Sequence, residues 1–495
     1  MAASKYQAIG IPSKLFINNE YVDSTSNESL TLVNPFDDSI ISTNIHAAGR
    51  NDVDVAVKAA HRARKEGPWA KFSAAQRQAC LLKFADLVES QADRLATLES
   101  LPSGKPVTAL KMFDIAHMVQ VYRYYAGLAD KISGDSYPED NGVYKIVRYE
   151  PLGVCAGIAS WNATFMYIGW KVAPALAAGN CFIFKASEKS PLGALALGPL
   201  FAEAGFPPGV VQFVSGAQAT GEALASHPDI AKISFTGSVN VGRAIQELAV
   251  RSNLKRVTLE LGGKSPAIVF DDATFEPTVQ SVGGGFLANS GQICVAASRV
   301  LVQETIAEKF IAAVKAVFES AGKSLGSDPL EPSTDLGPVV DKGHFDRIMS
   351  YIDIGKQSAT LLTGGSRKGG KGQFIEPTIF VNPERDSRIV REEIFGPVLT
   401  IQTFKTEEEA VALANDSIYG LAATVYTNDL NRALRISSKL ESGGVSVNSP
   451  YLPELNTAFG GSKQSGSGRE LGKYGLYEYL EPKSVHINLN FPPKL

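Results

Sequence analysis

Gly153-Val154-Cys155-Ala156-Gly157-Ile158-Ala159 opens the part of the sequence that decides the fold. This apolar run predicts a buried strand, and apolar strands alternate with helices from here to residue 250. The predicted strands cover 153–159, 181–184, 210–214 and 230–235, and the predicted helices cover 171–178, 192–204, 221–226 and 239–250. Such alternation is typical of an α/β fold, a doubly wound parallel sheet with helices on both faces. Ligands of these sheets bind beyond the carboxyl ends of the strands.

A second alternating series follows Glu260. Its predicted strands cover 267–270, 300–302, 398–404, 422–426 and 445–448, and its predicted helices cover 307–319, 345–354, 407–415 and 430–440. The series predicts a second doubly wound α/β domain, so a site near residue 260 would lie in a cleft between two domains. Before the first series, residues 15–45 are predicted as edge strands and hairpins, and residues 51–100 as helices.

The composition argues against several classes of partner. The chain has 495 residues, of which 44% are hydrophobic and 20% charged, with a formal net charge of −3. This balance gives no electrostatic reason to expect nucleic acid or a membrane surface as a partner. No run of about 18 apolar residues predicts a transmembrane helix, and residues 1–14 lack the apolar stretch of a signal peptide.

The cysteines and the C-terminus bear on metal binding and location. Cys80, Cys155, Cys181 and Cys294 are too few for a disulfide framework in so long a chain, and their spacing matches no zinc pattern. We therefore expect no metal, and a reduced, cytoplasmic protein. The final Pro493-Lys494-Leu495 is a near match to the Ser-Lys-Leu peroxisomal signal, which makes the peroxisome the alternative location.

The candidate nucleophile is Cys294, in Ser290-Gly291-Gln292-Ile293-Cys294. Glu260 lies 34 positions earlier, in Leu259-Glu260-Leu261-Gly262-Gly263. A thiol and a carboxylate, each in a glycine-containing turn after an apolar segment, suggest a nucleophile with its own general base. A Cys is more often a small apolar core residue, so this pattern alone leaves both interpretations open. A Cys–His hydrolase is disfavoured because none of the six histidines lies in a recognisable catalytic context.

Polar residues at the ends of the predicted strands are candidate ligand contacts. Gly237 and Ser238 join a strand to a helix, where glycine lets the backbone approach a phosphate and the helix offers free N–H groups. Lys185 and Glu188 follow a neighbouring strand and suit ribose hydroxyls, and the Asn162 amide suits an oxyanion. Taken singly, each is more commonly an ordinary turn or a solvated strand end, and the Gly-x-Gly-x-x-Gly fingerprint is absent.

A series of ordered motifs spans the chain. They are Gly104-Lys105-Pro106, Trp161-Asn162, Gly169-Trp170-Lys171, and the segments 173–180, 235–238, 259–264, 291–294, 392–398, 459–461 and 463–466. Together these motifs resemble the NAD(P)-dependent aldehyde dehydrogenase superfamily, in its hydrolytic type, nearly from end to end. The resemblance implies an enzyme that oxidises an aldehyde to its carboxylic acid.

The resemblance also implies a role for each candidate residue. Cys294 attacks the aldehyde to give a thiohemiacetal, and Asn162 and the Cys294 backbone N–H hold its oxyanion. After hydride transfer, Glu260 activates the water that hydrolyses the thioester, with Lys171 near the site to assist proton transfer. The implied contacts with the dinucleotide are Lys185 and Glu188 at the adenosine ribose, Gly237 and Ser238 at the pyrophosphate, Glu393 at the nicotinamide ribose, and Trp161, Val241 and Phe395 close by.

The resemblance further implies the cofactor, the domains and the assembly. NAD is expected because the Glu188 carboxylate should repel the 2′-phosphate of NADP, although Lys185 could soften that preference and NADP is the alternative. The implied Rossmann-like NAD-binding domain covers 1–128 and 152–261, the catalytic domain 262–461, and an oligomerisation arm 129–151 and 479–495. The strand-like segments 143–148 and 478–490 would form a small sheet in this arm, which makes a homodimer or homotetramer by adding strands across subunits. An edge strand kept within one chain is the alternative.

Two departures from the family concern the substrate tunnel. Relatives often carry an aromatic residue right after the oxyanion Asn and another six positions before the Cys, where this chain has Ala163 and Ala288. Two alanines should widen the tunnel, which favours a bulky, aromatic or metabolite-derived aldehyde. The aromatic walls would then come from Tyr167, Trp170, Tyr451 and Phe459.

Three alternatives use the same residues differently. A CoA-acylating dehydrogenase passes the thioester to a thiol and has less need of Glu260, so its retention favours hydrolysis by water. A thiol esterase would use Cys294 without a cofactor. A non-catalytic relative is disfavoured because Cys294, Glu260, Asn162 and Lys171 are all intact.

Overall fold

The larger of two α/β sheets has five parallel strands at its centre. The structure, a computed structural model, describes residues 9–490. In spatial order the eight strands of this sheet are Gly466–Ser467, Arg256–Glu260, Lys232–Thr236, Val154–Ile158, Cys181–Lys185, Val211–Val214, Leu15–Ile17 and Glu20–Val22. The five from Arg256–Glu260 to Val211–Val214 are mutually parallel, and the outer three pair antiparallel.

The order of these strands creates a switch point. From Val154–Ile158 the chain winds outward to Cys181–Lys185 and Val211–Val214, then returns to Lys232–Thr236 on the other side of its starting strand. Loops after the two strands at such a point diverge and leave a crevice for a ligand. The Trp161-Asn162 and Gly237-Ser238 segments follow these two strands.

Two layers of helices cover this sheet. Arg50–Lys65, Gln218–Ser226 and Val239–Ser252 form one layer. The other layer and the segments joined to it are Ala74–Ser90, Ala92–Ser103, Val107–Ala109, a π-helical turn Leu110–Ile115, Ala116–Leu128, Thr164–Ala177 and Leu192–Glu203, with a 3-10 turn at Pro68–Lys71. The strands and helices between them bury the largest apolar core of the protein.

Among residues 9–490, the second sheet has seven strands. In spatial order they are Thr360–Thr363, Thr378–Val381, Val398–Phe404, Arg299–Gln303, Pro266–Val269, Ala422–Tyr426 and Gly444–Val447, all parallel except the first. Its helices are Phe275–Leu287, Ala307–Ser324, Lys342–Ser358, Arg388–Arg391, Glu407–Asn415 and Leu430–Ser437, with 3-10 turns at Ala288–Gly291 and Glu304–Ile306. Three smaller apolar clusters fill this half.

Two small antiparallel sheets complete the described part of the chain. Leu480–Asn488 pairs with Val143–Pro151 along its whole length, and Asp135–Asp140 pairs on the other side. Ser29–Val33 pairs with Ile40–His46. The predicted fold class, two doubly wound α/β sheets and a small β arm, is confirmed.

Residues 462–478 belong to none of the domains that the family resemblance implies. In the structure they pack on the first sheet. The two-residue strand Gly466–Ser467 pairs with the end of Arg256–Glu260. After the 3-10 turn Lys463–Ser465 and this strand, the helix Gly472–Tyr477 contributes Leu476 to the first core. Within residues 9–490 no helix combines the length and apolar character needed to cross a membrane. Pro493-Lys494-Leu495 lies outside the described residues.

Candidate active site

Cys294 follows a strained turn at the end of the helix Phe275–Leu287. Asn289 and Ser290 have left-handed backbones with φ of 49° and 54°, and Gly291 continues in this region at 72°. Left-handed backbone costs free energy for residues with a side chain, so the surrounding structure has to hold it in place. Ser290 helps to do so, because its hydroxyl donates to the Gly337 carbonyl at 2.6 Å.

Gln292 fixes the same turn from inside the protein. Its side-chain oxygen accepts from the Val340 N–H at 3.0 Å, and its side-chain nitrogen donates to the Asn289 carbonyl at 3.0 Å. Its backbone carbonyl accepts from the Asn162 side-chain nitrogen at 3.1 Å. Gln292 therefore joins the nucleophile turn to the predicted oxyanion donor, a role that its sequence context does not reveal.

Glu260 reaches the same place from the first sheet. It is the last residue of the strand Arg256–Glu260. A Cβ atom on Gly263 would lie 2.3 Å from the Cys294 carbonyl oxygen, so only glycine lets these two backbone segments come so close. The predicted base and nucleophile are thus brought together by direct packing of their segments.

Burial dominates the electrostatics of Glu260. The residue is 3% exposed, and neither carboxylate oxygen has a hydrogen-bond partner among residues 9–490. Burial raises the pKa of Glu260 well above its usual value, the charge of Glu470 raises it further, and Lys171 acts in the opposite direction. A buried carboxyl with free oxygens is able to accept a hydrogen bond from a water molecule.

Lys171 lies in a buried network next to Glu260. Its ammonium is 2.5 Å from a Glu470 carboxylate oxygen and donates to the Ser234 hydroxyl at 2.9 Å. Ser234 in turn donates to Glu470 at 3.2 Å. Neither Glu470 nor Ser234 carries a sequence signal, because Glu470 comes from the returning segment 462–478 and Ser234 from the interior of a buried strand.

Burial disfavours the ionised form of the Cys294 thiol. The residue is half-buried, and burial followed by the charges of Glu393 and Glu260 raises the thiol pKa to about 12. A reactive thiolate needs an environment that lowers this pKa. The protein alone therefore does not supply a standing thiolate, and a base has to remove the thiol proton during reaction.

The predicted nicotinamide end of the cofactor site is built from both halves of the chain. Trp161 follows the strand Val154–Ile158 and packs edge to face on Phe395, with 5.6 Å between the ring centroids. The Glu393 carboxylate accepts from the Gly263 N–H at 2.9 Å, and burial raises its pKa to about 7. His344, which sequence reasoning missed, bonds the Phe395 carbonyl at 2.7 Å and packs on Trp161.

The predicted adenosine and pyrophosphate contacts line the carboxyl edge of the first sheet. Lys185 is buried beside Glu188, with 3.6 Å between ammonium and carboxylate, and burial lowers the Lys185 pKa. Ser238 caps the helix Val239–Ser252 by accepting from the Val241 N–H at 3.4 Å. The 48% exposed Val241 lies in the first turn of that helix.

These residues fit a dinucleotide. The buried Thr236 hydroxyl oxygen, just before Gly237, has no hydrogen-bond partner among residues 9–490. The helix that follows Ser238 opens with N–H groups that an intrahelical carbonyl does not satisfy. An orphan hydroxyl and a helix N-terminus at the switch point of a doubly wound sheet suit a phosphate group.

The predicted tunnel aromatics form a continuous wall. Tyr167 packs on Trp170 at 5.7 Å between centroids, Trp170 on Phe459 at 4.7 Å, and Phe459 on Tyr451 at 6.3 Å. His117 extends this wall, since its ring nitrogen Nε2 accepts from the Trp170 indole N–H at 2.9 Å. Sequence reasoning missed His117 because a lone histidine on a helix carries no spacing signal.

The two predicted tunnel alanines differ in exposure. Ala163 is half-buried at the start of the helix Thr164–Ala177. Ala288 is exposed, immediately after the helix that leads to the Cys294 turn. Each brings only a methyl group to its position.

The geometry joins a thiol, a carboxyl, an amide and a dinucleotide-type sheet edge, and comparison with known proteins gives the family. The sequence model of the "Aldehyde dehydrogenase family" matches residues 21–485. The chain belongs to the aldehyde dehydrogenase family. This aldehyde dehydrogenase is 47% identical to an aldehyde dehydrogenase of Emericella nidulans over 97% of this chain and 95% of that protein. It is 45% identical to human retinal dehydrogenase 2 over 96% of this chain and 92% of that protein.

Solved structures agree with the sequence comparison. The indole-3-acetaldehyde dehydrogenase AldA of P. syringae, solved as a mutant with NAD+ and IAA, has a TM-score of 0.95 and 36% identity, and the match covers 98% of each chain. This aldehyde dehydrogenase is therefore an NAD(P)-dependent oxidoreductase that converts aldehydes to acids.

Proposed function

We propose that this enzyme oxidises a bulky or aromatic aldehyde to its carboxylic acid with NAD, using Cys294 as nucleophile and Glu260 as base. The observation that carries the proposal is the meeting of three groups. Asn162 is held against the nucleophile turn through Gln292, Gly263 packs on the Cys294 carbonyl, and the Glu260 oxygens have no protein partner.

The first chemical step forms a bond between Cys294 and the aldehyde. The thiol gives its proton to solvent water, Sγ attacks the carbonyl carbon, and the carbonyl π pair moves to oxygen. The Asn162 side-chain N–H and the Cys294 backbone N–H donate to that oxyanion. When bound, the nicotinamide supplies the acceptor for the hydride that leaves the substrate carbon, and a thioester remains on Cys294.

The second step hydrolyses the thioester. Glu260 accepts a proton from a water molecule while the water oxygen attacks the acyl carbon. The carbon–sulfur bond then breaks, which releases the acid and leaves the sulfur on Cys294. The neighbouring Lys171 and Glu470, 2.5 Å apart and both bonded to Ser234, are the proposed route by which the proton leaves Glu260. CoA-acylating and esterase chemistry use the same nucleophile and are alternatives that product analysis separates.

NAD is the proposed cofactor rather than NADP. Its adenosine ribose would contact Lys185 and Glu188, its pyrophosphate Gly237, Ser238 and Val241, and its nicotinamide ribose the residues Trp161, Glu393 and Phe395. The Glu188 side chain is 45% exposed, so its carboxylate is free to meet a ribose hydroxyl. The same carboxylate would repel a 2′-phosphate.

The substrate class follows from the tunnel. The aromatic wall from Tyr167 to Tyr451 offers apolar surface and stacking to a large ring, while Ala163 and Ala288 leave room. The human retinal dehydrogenase 2 and the P. syringae indole-3-acetaldehyde dehydrogenase are named for bulky aldehydes, which agrees with the aromatic wall of this chain.

A screen of NADH formation tests the proposal. Aldehydes graded by size and aromaticity are assayed with NAD and with NADP, and products are checked for free acid. We expect the highest kcat/KM for large aryl aldehydes with NAD, and no NADH with Cys294→Ala. A higher kcat/KM for acetaldehyde contradicts the wide tunnel, and a thioester product or cofactor-free turnover contradicts the mechanism.

The remaining proposals concern domains and assembly. We assign nucleotide binding to residues 1–128 and 152–261, catalysis to 262–461 and oligomerisation to the arm of 129–151 and 479–495. The edge strands of the arm leave main-chain groups open to another copy of the chain, which supports a homodimer or homotetramer. Light scattering of the purified protein gives the mass, and a monomer would contradict this role.

A further inference from the structure

The amide of Asn162 is held by three hydrogen bonds. Its oxygen accepts from the Tyr167 hydroxyl at 3.0 Å and from the Ser160 hydroxyl at 2.5 Å. Its nitrogen donates one N–H to the Gln292 carbonyl at 3.1 Å. An amide has two N–H donors and two acceptor sites, so these bonds use both acceptor sites and leave a single N–H for a ligand.

Tyr167 is the buried member of the two donors. The residue is 3% exposed, and its ring packs on Trp170. Burial first and the charge of Cys294 second raise the pKa of the Tyr167 hydroxyl well above its usual value, so the group stays protonated. A hydroxyl that stays protonated is a constant donor to Asn162, whose amide is in turn bonded to the Gln292 carbonyl of the nucleophile turn.

We propose that Tyr167 is a positioning residue for catalysis, whose hydroxyl fixes the Asn162 amide so that its free N–H faces the substrate oxyanion. The inference rests on the proposed role of Asn162. Without the donated bond, the amide could rotate about its last torsion and exchange its oxygen and nitrogen, which would turn an acceptor toward the oxyanion. Tyr167 therefore does more than line the tunnel.

Tyr167→Phe removes the hydroxyl and keeps the ring. The oxyanion is the same atom in every aldehyde, so a positioning role predicts that kcat/KM falls by one common factor, about 10-fold, for small and large aldehydes alike. Phe459→Leu is the matched wall variant, and it should change the ratio of large to small aldehydes instead. Affinity for NAD should stay at the wild-type value in Tyr167→Phe.

Two results would overturn the inference. One is a Tyr167→Phe enzyme with wild-type kcat/KM, and the other is a loss confined to the bulky aldehydes, which is the signature of a wall residue. Ser160→Ala removes the other donor to the same oxygen from a half-buried position, and it should give a uniform fall as well. This variant keeps the test available if Tyr167→Phe folds poorly, as judged by its melting temperature.

Asn162→Ala separates the failure of this inference from that of the proposed function. We expect it to lower kcat/KM by about 100-fold or more, and Tyr167→Phe added to it should cause no further fall. An Asn162→Ala enzyme with wild-type activity would reject the oxyanion assignment itself. Loss in Asn162→Ala with an independent, fully additive loss from Tyr167→Phe would reject only the positioning role.

Discussion

The catalytic cleft and the outer edge of the dinucleotide site differ in how their charges meet solvent. Glu260 is 3% exposed with no hydrogen-bond partner on its carboxylate among residues 9–490, whereas the Glu188 side chain is 45% exposed and has Lys185 at 3.6 Å. Both carboxylates end parallel strands or follow them in the same sheet. Carboxylates at the same edge of one sheet can therefore be either buried or exposed to solvent.

The difference teaches what each carboxylate is able to do. Burial changes the proton affinity of Glu260 by a large amount, which suits a group that exchanges protons with water. Solvent screens Glu188, so its carboxylate acts by modest repulsion or attraction on a ligand. Substitutions in the cleft should consequently change rates strongly, and those at the edge should change preference weakly.

The largest expected effect comes from Glu260→Gln. Burial raises the pKa of Glu260 and so favours the neutral carboxyl, and the neutral amide should therefore be tolerated in the fold. We expect kcat to fall by about 1,000-fold because hydrolysis loses its base, while the first turnover still gives a burst of NADH. Rapid mixing with a good aldehyde measures both phases.

Cys294→Ala is the control for the Glu260→Gln burst. It removes the nucleophile, so it should give neither burst nor steady turnover. Steady turnover of Glu260→Gln at the wild-type rate would show that another group activates water. The burial of Glu260 would then have no role in catalysis.

The sequence predicts some residues of the catalytic cleft and misses others. Cys294 and Glu260 lie in local glycine-containing turns that a motif can specify, Cys294 after a helix and Glu260 at the end of a strand. Glu470 lies 299 residues from Lys171 and reaches it only because the chain returns through Gly466–Ser467. A two-residue strand leaves no periodic signal, so no local pattern could place this partner.

The backbone conformation and the side-chain hydrogen bonds within the site also cannot be predicted from the sequence. The left-handed Asn289 and Ser290 and the bonds of Gln292 depend on contacts with Gly337 and Val340 from a distant part of the chain. Tyr167 was predicted as a tunnel wall from its type and position. Its hydrogen bond to Asn162 depends on side-chain torsions, which spacing does not encode.

Glu470→Gln tests the electrostatics inside the cleft. The negative charge of Glu470 raises the pKa of Glu260, and Lys171 lowers it. Removing that charge leaves the opposing cation, so the folded-state pKa of Glu260 should fall and its base form should appear at lower pH. We expect the acid limb of the kcat profile to move to lower pH, as measured by steady-state rates across the neutral range.

Glu478→Gln is the matched control for this shift. The charge of Glu478 also raises the pKa of Glu260 but less than that of Glu470, and its side chain is 31% exposed, so its removal should move the acid limb less and in the same direction. A shift of the Glu470→Gln limb to higher pH, or a larger shift in Glu478→Gln, would contradict the assigned order of influence.

The smallest expected effect belongs to the exposed edge, in Glu188→Ala. Loss of its carboxylate removes the repulsion of a 2′-phosphate and one contact with the ribose of NAD. Because solvent screens this charge, we expect the ratio of kcat/KM for NAD to that for NADP to fall by only about 10-fold, with aldehyde preference unchanged. Glu319→Ala, an exposed carboxylate on a helix of the second sheet, should leave the ratio as it is. A 1,000-fold change of this ratio in Glu188→Ala would show that the exposed carboxylate acts as strongly as a buried one. No change at all would show that Glu188 does not contact the cofactor.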